Sequence, residues 1–172
     1  MNKFTLLSAA AAAILLSACA KNAINASPEA RATQIKENEA KGITSCRYVG
    51  DKAGAGTDQI YMCSASKALS SPEAKKELNP NFNVSFGGSI NTDKKVHYPS
   101  DRKSNAVGKS PEEACQRAFL STIISFERRA ASQGKRNIRV ASYYGEKHRA
   151  GNEFECHIGT WHSRVVVHGN VY

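Results

Sequence analysis

The stretch from Ser110 to Gly134, "SPEEACQRAFLSTIISFERRAASQG", decides the fold. Ser110 is a typical N-cap residue, Pro111 suits the first helical position, and Glu113 stands where a capping box has its acidic residue. Gly134 supplies the stop. Apolar residues recur between them at three- and four-residue steps, and they are Cys115, Phe119, Thr122, Phe126 and Ala130. The pattern predicts one long helix with Cys115 turned towards the core.

The same stretch is preceded by Gly108 and Lys109, so that Gly-Lys-Ser imitates the end of a phosphate-binding P-loop. A P-loop needs another glycine five residues before its Gly-Lys pair, because the loop bends around phosphate at both ends. That position holds Lys103. We therefore interpret Gly108 to Ser110 as a helix start and exclude a nucleotide site.

The remaining segments predict a sheet against which this helix packs. "ITSCRYVG" (43–50) and "DQIYMCSA" (58–65) flank a glycine-rich loop and predict a hairpin. A short helix at Pro72 to Leu78 and a strand in "FNVSFGGSI" (82–90) follow, and then a polar surface excursion over 91–107. Three more strands are predicted in "NIRVASYY" (137–144), "EFECHIG" (153–159) and "RVVVHGNVY" (164–172). The expected class is α+β, with one long helix packed on a small, mostly antiparallel sheet.

Four cysteines follow Cys19, and an even set in an exported chain indicates disulfides. Three pairings are possible in principle. The hairpin favours Cys46 with Cys63, which closes a loop of about 18 residues and adds about 3 kcal/mol in the chain-entropy model. A helix lying over the sheet favours Cys115 with Cys156, over about 42 residues and about 4 kcal/mol. These cysteines are then structural and chemically idle.

The first residues, "MNKFTLLSAAAAAILLSAC", have a cationic start, a short apolar run and small residues at the end, as signal peptides do. Leu16-Ser17-Ala18-Cys19 resembles the lipobox of bacterial lipoproteins, whose cysteine receives acyl chains such as palmitate. A plain cut after Ala18-Cys19-Ala20 is the alternative. We expect a signal peptide at 1–18, a lipid-anchored tether at 19–42 and one α+β domain at 43–172. The tether is either disordered or a solvated helix that Ser27-Pro28-Glu29 caps and Gly42 ends. Ala20 after Cys19 favours the outer membrane, with the domain periplasmic or surface-facing.

The formal net charge is +9, and loss of Lys3 with the signal peptide leaves +8. The excess is spread along the chain without a polybasic tail. Outside the cytoplasm such a balance attracts anionic surfaces: lipopolysaccharide, acidic lipid or cell-wall polymer, and not nucleic acid. A solvated basic surface without a partner explains the charge equally well.

The histidines are candidate metal ligands, since His157, His162 and His168 lie close together in the sequence near the C-terminus. Regular strand alternation places His157 on the face opposite the other two, which prevents convergence on one ion. His97 and His148 fall in polar loops, where exposure is expected. No Gly-x-Ser-x-Gly or His-Glu-x-x-His motif occurs. The sequence predicts no catalytic residue, no metal site and no cofactor.

"NAVGKSPEEACQRAFLS" (105–121), "ASYY" (141–144) and Glu153 to Cys156 resemble a family of small bacterial exported proteins often labelled "excinuclease ATPase subunit". The resemblance covers about 58–172. Its label implies an ATPase, and the missing P-loop glycine makes that label a misnomer here. The chain is also distantly similar to the outer-membrane sensor lipoprotein of the Rcs envelope-stress pathway, which implies a small α+β domain with two disulfides.

These observations favour a non-enzymatic envelope lipoprotein, attached to the outer membrane, that binds an anionic envelope component or a protein partner. The alternative is a small secreted hydrolase, with or without a metal ion. The histidines and acids such as Glu153 and Glu155 are the residues that suggest it.

Overall fold

The computed structural model describes residues 27–52 and 58–172. The predicted signal peptide, Cys19 and the glycine-rich segment 53–57 lie outside the described residues. The helices are α1 (Pro28–Ala40), α2 (Ala65–Ser70), α3 (Pro72–Glu77) and α4 (Pro111–Ser132). The strands are β1 (Cys46–Lys52), β2 (Asp58–Ser64), β3 (Asn83–Phe86), β4 (Tyr98–Asn105), β5 (Asn137–Ser142), β6 (Glu153–Ile158) and β7 (His162–Val171). A 3-10 turn spans Tyr144–Glu146.

The strands form one seven-stranded sheet in the order β1-β2-β6-β7-β5-β3, with β4 paired to β7. Only β3 and β5 are parallel among the described pairs, so the sheet is mixed but mostly antiparallel. The α+β class is confirmed. The sheet is larger than expected, and three helices besides α4 are present in the described part of the chain.

Helix α4 follows from its sequence as predicted. Ser110 Oγ accepts the backbone N–H of Glu113 at 3.2 Å, and Gly134 has the left-handed φ of +64° that ends helices. The Glu113 carboxylate faces Arg117 at 3.5 Å, so only the serine half of the capping box is present. The predicted apolar stripe is fully buried.

The core lies between α4 and one face of the sheet. Phe119 of α4 stacks on Phe154 of β6 with ring centroids 4.2 Å apart, and it meets Phe86 of β3 edge-on at 5.6 Å. Ile123 and Val165 are buried beside them. Aromatic side chains of this size supply much of the burial that stabilises a domain.

The structure contains the disulfides Cys46–Cys63 and Cys115–Cys156, the two pairings that the sequence analysis favours. The first joins cross-strand partners of the β1–β2 hairpin. The second ties α4 to β6 inside the core, where both cysteines are fully buried. Sulfur atoms of Cys46, Cys63 and Cys115 lie within 4.8 Å of one another, so the two bonds are neighbours.

The segment 27–42 differs from the expected tether. It forms α1, and Asn38 of this helix is buried, donating to Ser110 Oγ at 3.0 Å and to Glu112 Oε2 at 2.9 Å. Arg31 forms an ion pair with the same Glu112. The folded unit therefore begins before residue 43. Polar contacts hold this helix, which is why apolar periodicity did not reveal the docking.

Arg31→Ala is expected to lower the free energy of unfolding by about 2 kcal/mol, because the buried Glu112 carboxylate then lacks its cationic partner. Partial exposure of Arg31 keeps the loss below that of a fully buried pair. Urea denaturation measures it, and Lys36→Ala on the exposed side of α1 is the control. Equal stabilities of the two variants would show that α1 does not depend on this contact.

The prediction of a surface excursion at 91–107 is wrong for its second half, which is strand β4. β4 pairs with β7 over its whole length, from Tyr98 with Gly169 to Asn105 with His162. Most of its side chains are exposed and polar, because β4 pairs with β7 alone among the described strands. Backbone hydrogen bonds to β7 hold β4 in the sheet, and the side chains of Tyr98 and Ser100 add contacts to the core side.

Gly169 of β7 faces the crowded junction with β5. A Cβ there would overlap the Arg139 carbonyl oxygen and lie 2.8 Å from Val140 Cγ1. Gly169→Ala is therefore expected to cost about 2 kcal/mol in unfolding free energy, the typical penalty of overpacking. Gly151→Ala is the matched control, since a Cβ at Gly151 meets no atom within 4 Å. A thermal melt of both variants checks the prediction, which fails if Gly169→Ala melts as the control does.

Candidate functional site

The sheet face away from α4, termed the outer face, carries an unusual set of polar residues. Phe154, Cys156 and Ile158 of β6 face the core, so Glu155 and His157 point outwards between them. His157 pairs across strands with Arg164 of β7. The expectation that His157 lies opposite His162 and His168 is thus wrong, because cross-strand partners share a face and alternation along β7 puts these two on the same side as Arg164.

Three histidines form a continuous chain on this face, termed the histidine chain. His97 Nε2 lies 2.8 Å from His168 Nδ1, and His148 Nδ1 lies 2.7 Å from His168 Nε2. Tyr143 stacks on the His168 ring with centroids 4.1 Å apart and planes 8° apart. The sequence suggests a different trio, His157, His162 and His168. It predicts that His97 and His148 are exposed in polar loops, and in the structure His148 is exposed while His97 is half-buried. Nothing in local sequence connects residues 97, 148 and 168, which only the sheet topology brings together.

His168 sits at the centre of the chain and is 1% exposed. Burial, followed by electrostatic interaction with the His148 and His97 rings, lowers the pKa of His168 to about 4. The ring is therefore neutral at neutral pH, with one nitrogen donating and the other accepting. Either direction of donation along the chain satisfies both contacts.

A second group lies next to the chain. His157 Nε2 is 2.8 Å from Glu155 Oε1, and Arg149 Nη2 is 2.7 Å from Glu155 Oε2. Tyr144 stacks on His157 with centroids 3.5 Å apart. His157 Nδ1 is buried and has no hydrogen-bond partner among the described residues. A carboxylate-oriented imidazole is a familiar acid-base pair, but this one is covered by Tyr144 and lies within the sheet.

Both groups depend on the segment 143–149, for which the sequence predicts the end of a strand followed by a loop. Tyr143 and His148 contact the histidine chain, while Tyr144 and Arg149 contact the Glu155–His157 pair. The turn within it places Gly145 and Glu146 at positive φ, near +60°. Glycine adopts such a φ freely and glutamate rarely does, so the turn is locally strained and held by these contacts.

A pocket of about 310 Å³ lies elsewhere, beside α2 and α3. Leu69, Leu78, Phe82 and Val84 line it, with Glu127 at one side. Glu127 accepts the backbone N–H of Asn79 at 3.0 Å, and burial raises the pKa of its carboxyl group.

Cations collect where α4 ends, in a region termed the cationic patch: Lys94, Lys95, Arg129, Lys135 and Arg136. Tyr98 connects the turn that carries Lys94 and Lys95 with the end of α4. The Tyr98 hydroxyl donates to the Lys95 carbonyl at 2.8 Å, and Arg129 lies 3.9 Å from the centroid of the Tyr98 ring. None of the five forms an ion pair within residues 27–52 and 58–172. Asp93, the acid of the same turn, accepts the backbone N–H of Lys95.

The other predicted site residues are placed as follows. Glu153 pairs with Arg47 at the surface. Trp161 is 64% exposed. Among the described residues, three potential metal ligands lie within 4.8 Å of one another only at the sulfur atoms of Cys46, Cys63 and Cys115. All three cysteines are in disulfides and so are not available to an ion.

No helix in the described ranges combines the length and apolar character that a bilayer span requires. Comparison with protein-family models, with curated proteins and with solved structures finds no match to this chain.

Proposed function

We propose that this chain is a non-enzymatic lipoprotein of the bacterial outer membrane, anchored through Cys19, whose domain binds an anionic cell-wall or envelope component through the cationic patch. A protein partner with an acidic surface would present the same chemistry. The resemblance to small exported proteins of the "excinuclease ATPase subunit" family and to the Rcs sensor lipoprotein agrees with this assignment.

The observation that carries the proposal is the cationic patch. Its members are exposed and lie on two segments that Tyr98 connects, so their charges add at one end of the molecule. Five other arginines, by contrast, are engaged with carboxylates: Arg31, Arg47, Arg117, Arg149 and Arg164. The five patch cations are therefore available to an anionic ligand, although other exposed cations without an ion pair among the described residues, such as Lys67, Lys75 and Lys76, lie elsewhere on the surface.

The acid-base pair Glu155–His157 supports the hydrolase hypothesis less well. Both side chains are more than nine-tenths buried, and Tyr144 covers the imidazole. A general base must reach the proton that it abstracts, so a substrate would have to displace Tyr144. The binding proposal requires no such movement.

Charge reversal tests the binding proposal. The triple variant Lys94→Glu, Lys135→Glu, Arg136→Glu is compared with Lys67→Glu, Lys75→Glu, Lys76→Glu, which changes the net charge equally on α2 and α3. Retention on immobilised peptidoglycan, lipopolysaccharide and acidic-lipid vesicles is measured at physiological salt. We expect the patch variant to lose about tenfold or more of its retention, and the control to lose about twofold.

Equal losses in the two variants would show that net charge, and not the cationic patch, determines retention. If the unaltered protein is retained on none of the three anionic surfaces, the proposal that it binds an anionic ligand is wrong. Mass spectrometry of the mature amino terminus tests the anchor separately. The proposal expects an acylated Cys19, and a free Lys21 at the amino terminus would overturn it.

A further inference from the structure

The histidine chain combines one fixed ring with two adaptable ones. His168 is held in β7 under Tyr143, whereas His97 lies in the turn before β4 and His148 in the segment after β5. The three rings come from separate parts of the polypeptide. No described hydrogen bond of these three side chains goes to a carboxylate. Three imidazoles grouped without an acid are a donor set suited to transition metals and not to calcium or magnesium.

We propose that His148 Nδ1 and His168 Nε2 bind one divalent transition-metal ion, and that His97 orients His168 from its other nitrogen. His148 is exposed, so the remaining coordination positions of the ion face solvent and take water or an anion. Imidazole nitrogen suits copper, zinc and nickel, and among these Cu²⁺ binds most tightly to a given nitrogen site.

The distances require little rearrangement. Two nitrogens bound about 2.0–2.1 Å from one ion are about 2.9–3.4 Å apart, depending on whether the geometry is square-planar or tetrahedral. His148 Nδ1 and His168 Nε2 are 2.7 Å apart. The separation must increase by about half an ångström, and the His148 ring must turn so that both lone pairs point at the ion. His148 lies outside the strands, in the segment that would move.

His97 supplies the support that metal-binding histidines normally have. When an ion occupies Nε2 of His168, its ring proton must be on Nδ1, which lies 2.8 Å from His97 Nε2. His97 then accepts that proton in a hydrogen bond and fixes the tautomer. Tyr143, stacked on the same ring, fixes its plane. His97 is thus a positioning residue and His148 a ligand.

Copper titration of the unreduced protein, without a histidine tag and at neutral pH, tests the site. CuCl₂ is added in competition with a chromophoric chelator to the unaltered protein and to the variants His148→Ala, His97→Ala and His162→Ala. His162 is an exposed histidine of β7, the strand that carries His168, and it does not belong to the histidine chain. His162→Ala is therefore the matched control. We expect the unaltered protein and His162→Ala to bind copper equally, and His148→Ala to bind about tenfold or more weakly.

Electron paramagnetic resonance separates the two roles. The nitrogen hyperfine pattern should show two imidazoles in the unaltered protein, one in His148→Ala, and still two in His97→Ala, whose affinity is about tenfold lower. Circular dichroism verifies that the variants are folded. The site is disproved if His148→Ala binds copper as the unaltered protein does, or if the unaltered protein shows no saturable copper binding.

Discussion

Replacing Cys115 and Cys156 together by alanine is expected to lower the free energy of unfolding by about 4 kcal/mol. The bond closes the longer of the two described disulfide loops, with a sequence separation of 41 against 17 for Cys46–Cys63. Because loop-closure entropy grows with loop length, losing the bond enlarges the unfolded ensemble more in this case. Both cysteines are fully buried, so their truncation adds a packing loss.

Urea denaturation of the oxidised proteins measures the effect. The matched variant replaces Cys46 and Cys63 by alanine and is expected to lose about 3 kcal/mol, because its loop is shorter. A Cys115/Cys156 variant that unfolds at the same urea concentration as the unaltered protein would contradict the account of the core bond.

Phe119→Ala is expected to cost about 3–5 kcal/mol, the range found when a buried aromatic residue is truncated. Phe119 is fully buried and contacts rings on two different strands, Phe154 and Phe86, so its removal leaves a cavity that neither partner alone can fill. Thermal and urea denaturation measure the loss. Arg128→Ala, on the exposed side of α4, should change stability by less than about 0.5 kcal/mol.

Phe119→Leu helps to interpret that result. Leucine keeps part of the buried volume but removes both aromatic contacts, so an intermediate loss is expected. If alanine at position 119 destabilises no more than alanine at position 128, the core does not lie where α4 meets β6.

The parts of the fold that local rules govern were predictable. A serine cap, a proline at the first turn and a three-four repeat of apolar residues predict α4 with bounds close to those observed. Alternating residues around a glycine loop predict the β1–β2 hairpin and with it the pairing of Cys46 with Cys63. Each of these signals lies within a few residues of the structure that it predicts.

The parts that depend on long-range pairing were not predictable in the same way. Strand β4 is too polar to be recognised by burial, and it exists because β7 offers a partner for its backbone. Helix α1 docks through Asn38 and Arg31 on a glutamate far along the chain. The single buried Asn38 in an otherwise polar helix has no periodic signal.

The histidine chain shows the same limit at the level of the site. The spacing of His157, His162 and His168 suggested comparing those three, whereas the sheet joins His168 to His97 and His148. The relevant distances are set by the turn before β4 and by the segment 143–149. Neither position follows from composition or alternation, because both depend on which strands neighbour β7.

Two disulfide bonds hold the described domain together. The most direct measurement is alkylation of freshly purified, denatured but unreduced protein, followed by peptide mass spectrometry before and after reduction. The account predicts that Cys46, Cys63, Cys115 and Cys156 are modified only after reduction, with Cys46–Cys63 and Cys115–Cys156 recovered as linked peptides. Stoichiometric alkylation of any of these four cysteines before reduction would contradict it.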